Sequence, residues 1–233
     1  MKLTFHPLTP DLWPALEDLF GESAVCSRCW CMYGRIGSSY RKRPGEENKA
    51  AFRQAVENGP SPGILAFDGD TAVGWCQVTP RDAVPWLDRL WQLRRVDDAP
   101  VWSLSCLYVR KRYRRQGVTS HLIAAALEAA RRANAPALEA YPFDADVSPS
   151  ASGCGYASTF ARAGFRVVAR RVPARPIMRY DLKQNAGDGV RCLDRLPTRQ
   201  RPLRPGPRRQ TMCRSLFSQA MPEAPVIAAA CGV

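Results

Sequence analysis

One stretch of this chain limits what the rest of it can be: Val101 to Arg132, reading VWSLSCLYVRKRYRRQGVTSHLIAAALEAARR. Its first part is apolar and suits a strand, its middle is a basic turn closed by Gly117, and its last part repeats apolar residues at helical spacing. The predicted order is strand, turn, helix. A helix that starts directly behind such a turn presents free backbone N–H groups and the positive end of its dipole. Together these make an anion site that needs no special side chain. Arg110, Lys111, Arg112, Arg114 and Arg115 crowd the turn and add charge of the matching sign.

The chain has 233 residues, enough to bury one full core, and its 45% hydrophobic and 24% charged content is ordinary for a globular protein. The formal charge of +13 is not ordinary. It favours polyanionic partners, whether nucleic acid, an anionic membrane face or a phosphorylated cofactor, without choosing among them. No run of about eighteen apolar residues is present, which argues against a membrane span. Asp11, Glu17 and Asp18 interrupt the start, so no signal peptide is expected and the location read from the sequence is cytoplasmic. Nine cysteines, an odd number, point in that setting to reduced thiols.

Along the chain, Leu3 and Phe5 mark a first strand, and Thr9 precedes a helix carrying Leu12, Leu16, Leu19 and Phe20. The segment from Gly21 to Gly45 has no clear period. Glu46 to Asn58 predicts an amphipathic helix with Ala50, Phe52, Ala55 and Val56 on its apolar side. Gly63 to Phe67 and Ala72 to Val78 predict a hairpin about Asp68, Gly69 and Asp70. A connection with one or two helical turns follows, then the strand Trp102 to Val109, the helix Gly117 to Ala133 and a strand Ala137 to Tyr141. After a loop rich in proline, serine and glycine, a helix from Tyr156 to Ala163 leads to a closing hairpin of Phe165 to Val172 and Ile177 to Leu182.

Past Leu182 the composition changes. Residues 184–233 hold eight arginines against Asp188, Asp194 and Glu223, a charge of +5, and their prolines break any helix or strand period. They predict a basic disordered tail behind a folded unit of residues 1–183. Such a tail is either an inert extension or a non-specific contact to nucleic acid.

This pattern resembles the GNAT superfamily of acetyl-CoA-dependent N-acetyltransferases over roughly Leu3 to Leu182. The turn Arg114, Arg115, Gln116, Gly117, Val118, Thr119 is similar to that family's pyrophosphate loop, Q/R-x-x-G-x-G/A. The stretch Tyr156-Ala-Ser-Thr-Phe-Ala-Arg-Ala-Gly-Phe165 is similar to its late helix ending in Gly-Phe. The resemblance implies an α/β fold of the α+β type, a mixed and mostly antiparallel sheet of six to seven strands flanked by helices. It implies acetyl-CoA as cofactor, with its pyrophosphate on the backbone N–H groups from Arg115 to Thr119, and with Gln116, Gly117 and Val118 between them. Arg114 and Arg115 would add charge, and Leu107, Tyr108 and Val109 would pair with the pantetheine arm. Thr119 departs from the small residue of the motif and either crowds the diphosphate or donates its hydroxyl to it.

Acetyl transfer to an amine needs a base for the amine and an acid for the departing thiolate. Many relatives keep a tyrosine four residues before the glycine of Gly-Phe, and here that position is Phe160. Tyr156, one helical turn earlier, is the substitute acid or else a packing tyrosine. Glu139, on the fifth strand with Tyr141 on the same face, is either the base or the partner of a nearby arginine. Trp30, Met32 and Tyr33 are read with Tyr141 as acceptor contacts, or as core, and Arg35 as lying near the mouth. Cys26, Cys29 and Cys31 have metal-like spacing without a fourth ligand, so no metal is expected. Cys106 lies beside the thioester strand with no histidine to activate it, which favours direct transfer.

The expected acceptor is a primary amine of a small molecule or peptide, on a monomer or homodimer with no membrane partner. Two alternatives from other classes stay open: an acyl-CoA-binding or regulatory module without turnover, and a nucleic-acid binder acting through the basic tail.

Overall fold

The computed structural model describes residues 1–144 and 153–182. The tail and most of the loop before Gly153, read above from composition, lie outside them. Seven strands form one sheet: β1 (Leu3–Pro7), β2 (Gly63–Asp68), β3 (Thr71–Pro80), β4 (Trp102–Val109), β5 (Ala137–Ala140), β6 (Arg166–Ala169) and β7 (Ile177–Asp181). Their order is β1-β2-β3-β4-β5-β7-β6. Every neighbouring pair is antiparallel except β4 and β5. The fold is therefore the mixed α/β sheet that the sequence predicts.

Each face of the sheet is sealed by helices whose period supplies the apolar side. On one face α6 (Val118–Arg132) buries Val118, Leu122, Ile123, Ala126, Leu127 and Ala130 against Ile64, Val73, Val78 and Leu104. Phe160 of α7 (Ala157–Arg162) and Phe165 join the same core, ring on ring at 5.1 Å. On the other face α1 (Trp13–Gly21) and α4 (Gly45–Glu57) build an aromatic core of Trp13, Phe20, Trp30, Phe52 and Trp75. On α4, Phe52 and Val56 are buried as predicted, Ala50 is exposed, and fully buried Asn48 takes a place that the apolar pattern hides. Its Nδ2 donates to the carbonyls of Arg28 and Tyr40, at 2.8 and 2.9 Å, and so ties α4 to the segment without period.

That segment folds into short α2 (Cys26–Cys29), α3 (Tyr33–Ile36) and a 3-10 turn over Gly37–Lys42. The long connection after β3 carries α5 (Trp86–Arg89), and its Val84, Leu87 and Leu93 form a third cluster with Tyr141 and Ile177. The predicted sixth strand shrinks to Arg166–Ala169, and Tyr156 precedes its helix instead of opening it.

One irregularity positions everything that follows. Gln77 faces Cys106 while Val78 faces Leu104, so Ser105 is an extra residue that bulges β4. On its other side β4 meets β5 only through Trp102, Ser103 and Leu104. Beyond Leu104 the two parallel strands part, and Ser105 to Val109 keep a neighbouring strand on one side only.

Candidate active site

A cavity of about 460 Å³ fills the parting. The stretch from Ser105 to Val109 forms its floor, Arg114 and Thr119 stand at one end, and Tyr33, Leu87, Tyr141 and Arg175 stand toward the other. Gly153 to Tyr156 and Thr159 also line it.

The first end is built from backbone. Arg115 and Gly117 both have positive φ, +61° and +84°, and Gly117 caps α6. Left-handed residues in such a turn point successive N–H groups into one concavity. Among the described residues none of the N–H groups of Arg115, Gln116, Gly117, Val118 and Thr119 meets an acceptor. A Cβ added at Gly117 would have nothing closer than the His121 ring at 3.8 Å, so the space before it is open. This cradle, on the helix dipole, fits a diphosphate.

The arginines around the cradle divide. Arg114 donates from Nε to the Val109 carbonyl at 3.0 Å, which holds its guanidinium in the mouth of the cavity. Arg115 is exposed, and Gln116 donates to the Arg112 carbonyl at 2.7 Å. Arg110, counted in the sequence with the phosphate charges, is only 4% exposed. It pairs with Asp18 and Glu22 and donates to the Ala72 carbonyl, fastening α1 to the sheet. Leu107, Tyr108 and Val109 line the cavity, but the Leu107 N–H already donates to the Gly153 carbonyl at 2.6 Å.

At the other end the predicted acceptor contacts separate. Tyr33 and Tyr141 line the cavity, whereas Trp30 and Met32 do not. Trp30 lies in the aromatic core, stacked on Trp13 at 5.5 Å, with Nε1 donating to the Ser27 carbonyl at 2.7 Å, and Met32 is buried in the same cluster. The cause is backbone. Trp30 and Cys31 are consecutive left-handed residues, φ 44° and 54°, a reversal that a residue spacing does not announce.

Glu139 is not placed as a base. It is 1% exposed and absent from the cavity lining. Arg179 binds its Oε1 at 2.7 Å and Arg81 its Oε2 at 3.1 Å, while Asp97 and Asp88 complete the two arginines. Tyr141 donates to Oε2 at 3.2 Å, and burial holds that phenol above the ordinary tyrosine range, with the carboxylate adding to the effect. Both acceptor oxygens are thus occupied by fixed cations in a structural network. Tyr156 does line the cavity, but as the extended residue before α7, with φ −103° and ψ 141°. It shares no helix face with Phe160, which is fully buried.

Five thiols line the cavity: Cys26, Cys29, Cys31, Cys106 and Cys154. Among the described residues no group of His, Cys, Asp and Glu is arranged to hold a metal, and the six cysteines described are free. A hydrogen bond with Cys31, then burial, holds the Cys106 thiol well above the ordinary range. Burial pushes Cys26 up to about 12 and Cys29 to about 11. Thiols held protonated are poor nucleophiles.

A parted pair of parallel strands with an anion cradle at one end is the frame against which the chain compares with known proteins. The family model described as the acetyltransferase (GNAT) family matches residues 29–148. The chain belongs to the GNAT acetyltransferase family. A GNAT-family acetyltransferase of Listeria monocytogenes 4b F2365 shares its fold, at 14% identity and a TM-score of 0.51, over 77% of this chain and 95% of that one. PaiA N-acetyltransferase of Thermoplasma acidophilum, in complex with coenzyme A, is similar at 15% identity and a TM-score of 0.48, over 78% and 99% of the two chains. No curated protein matches the sequence. Among the described residues of this GNAT chain no helix is long and apolar enough to cross a membrane.

Sequence reasoning missed Ser105, Leu87 and Arg175 in this GNAT site. Nothing in ARP at residues 174–176 sets Arg175 apart from Arg170 and Arg171 a few positions earlier. Only the turn into β7 brings it to the cavity.

Proposed function

We propose that this chain moves the acetyl group of acetyl-CoA to a primary amine of a small molecule or peptide by direct attack. One observation carries the proposal: a single cavity runs along the open side of β4 from Arg114 and Thr119, which flank a turn whose N–H groups meet no acceptor among the described residues, to a pocket with Tyr33 and Tyr141. The cofactor supplies an activated thioester. The cradle and Arg114 hold its diphosphate, with Thr119 at the rim, and the Val109 N–H, on the same side of β4 as that of Leu107, pairs with the extended arm. Tyr156, which lines the cavity, returns a proton to the departing thiolate. With the Cys106 thiol beside the strand held neutral, direct attack by the amine is favoured over a thiol-bound intermediate.

No Asp, Glu or His lines the cavity among the described residues. The amine therefore enters neutral or loses its proton to water, helped by the positive potential of two guanidinium groups. The same observation favours a second reading, a coenzyme-binding module without turnover. Thiol release over a broad amine panel separates the two, since binding without release supports the module. For the cofactor itself, acetyl-CoA raises the melting temperature of the native chain, and Gly117→Glu, which puts a carboxylate into the cradle, abolishes the rise. No rise in the native chain sinks the proposal.

A further inference from the structure

Four arginines are buried among the described residues: Arg81, Arg110, Arg175 and Arg179. Three of them hold two carboxylates each. Arg81 meets Asp88 and Glu139, Arg110 meets Asp18 and Glu22, and Arg179 meets Asp97 and Glu139. Arg175, 6% exposed, meets none among the described residues. Its Nε has no partner, its Nη2 lies 3.9 Å from the Cys154 sulfur, and its guanidinium stacks 4.7 Å from the centre of the Phe143 ring. A guanidinium keeps its charge inside a protein, and a ring face offsets only part of the lost hydration. Among the described residues, therefore, this cation lacks an anion.

That cation lines the cavity, and its place there is specific. Cys154 donates from its sulfur to the Ser105 carbonyl at 3.4 Å, so Arg175 sits at the Ser105 end of the open strand. Arg114 is fastened to the Val109 carbonyl at the opposite end. The two strand positions they attach to, Ser105 and Val109, are four steps apart, about 13 Å. Arg114 and Arg175 are the charged residues lining the cavity among those described. The first stands with the phosphate cradle. The second lies beyond the middle of β4, on the side where Tyr33, Leu87 and Tyr141 leave room for the acceptor.

We propose that Arg175 binds a carboxylate of the acceptor, so that the substrate is an amine that also carries a carboxylate, of the amino acid type. This rests on the acetyl-transfer reading above. A planar guanidinium matches a carboxylate through paired N–H donors, and a single negative charge neutralises it. The amine nitrogen bonds to the acetyl carbon, the carbon–sulfur bond breaks, and the proton lost by nitrogen ends on the coenzyme thiol. The products are an N-acetylated acid and free coenzyme A. Arg175 acts by binding and touches no reacting atom.

The test compares the standard amino acids with their C-terminal amides, acetyl-CoA being the donor and thiol release the readout. At least one acid should exceed its own amide about tenfold or more in kcat/KM, and Arg175→Gln should lower that acid about 100-fold, mainly through KM, and level the two. Arg175→Lys should keep part of the preference. The melting temperature of Arg175→Gln should be no lower than that of the native chain, because the variant removes an uncompensated charge, and acetyl-CoA should still raise it. Equal use of acids and amides, a preference that persists in Arg175→Gln, or loss of acetyl-CoA binding in that variant overturns the proposal. So does failure to turn over any acid while acetyl-CoA still stabilises the native chain. If Arg175→Gln does not fold, the acid-to-amide ratio of the native chain decides alone. Absence of any acetyl-CoA shift in the native chain brings down the acetyl-transfer reading instead.

Discussion

Glu139 shows how far a residue can be read from its neighbours in sequence. Alternation from β5 onward puts it on one face with Tyr141, and in the structure the two side chains are hydrogen-bonded. What alternation cannot supply is the pair of arginines that arrive from positions 58 residues before and 40 residues after it. They turn a candidate base into the centre of a buried network. Glu139→Gln should therefore cost about 3 kcal/mol of stability, by leaving two guanidinium groups short of charge. Urea denaturation checks this, and a large loss of activity with an unchanged midpoint would return Glu139 to catalysis. Tyr156 reached the cavity for a reason other than the helical spacing used to choose it. The cradle residues Arg115 to Thr119 were legible because backbone N–H groups need only a turn and a helix start.

At the scale of elements, long periodic stretches announced themselves. β4, α6, the β2–β3 hairpin and α4 fall within a residue or two of their predicted bounds, because each buries a regular apolar face. The segment from Gly21 to Gly45 did not, because its short elements are held by contacts from elsewhere. Asn48 reaches it from α4, and Gly37 accepts the Trp86 ring of α5 where any Cβ would fall 1.9 Å from a ring carbon. Gly37 also has φ +63°. Gly37→Ala should lose about 2 kcal/mol or more, through both strain and overlap. It should weaken acceptor use while the thermal shift by acetyl-CoA persists, since α3 and α5 border the acceptor end. An equal loss at both ends would show that the two halves of the cavity are not held separately.

For the molecule as a whole, the half-buried and buried thiols couple stability to alkaline pH. Cys26 and Cys76 are raised by burial to about 12 and Cys29 to about 11. An unfolded thiol ionises near about 8.5. Above that pH the unfolded chain has lost protons that the folded chain keeps, so the unfolded state binds fewer and stability falls as pH rises. The contribution is complete below about 8.5 and declines toward the folded values. Denaturation midpoints under reducing conditions from about pH 8 to about pH 10 should fall, and replacing the three cysteines by alanine should flatten the slope. A flat native profile would mean that these thiols are solvated. Composition gave no sign of this coupling, because a count of nine cysteines says nothing about which of them are buried.

The parting of β4 and β5 has a further consequence for association. A strand with a free row of N–H and C=O groups ordinarily invites pairing with another chain and, in the worst case, aggregation. Here the row from Ser105 to Val109 lies in the middle of the sheet, walled by β5 on one flank and by Tyr156 and Thr159 on another, and Gly153, Cys154 and Arg114 already take the Leu107 N–H and the Ser105 and Val109 carbonyls. Too few free groups are left there for a second polypeptide strand to pair with. A thin, unbranched chain bearing amide groups can enter and complete the ladder. The bulge at Ser105 thus turns a liability of β structure into a filter, admitting a ligand shaped like one strand without side chains.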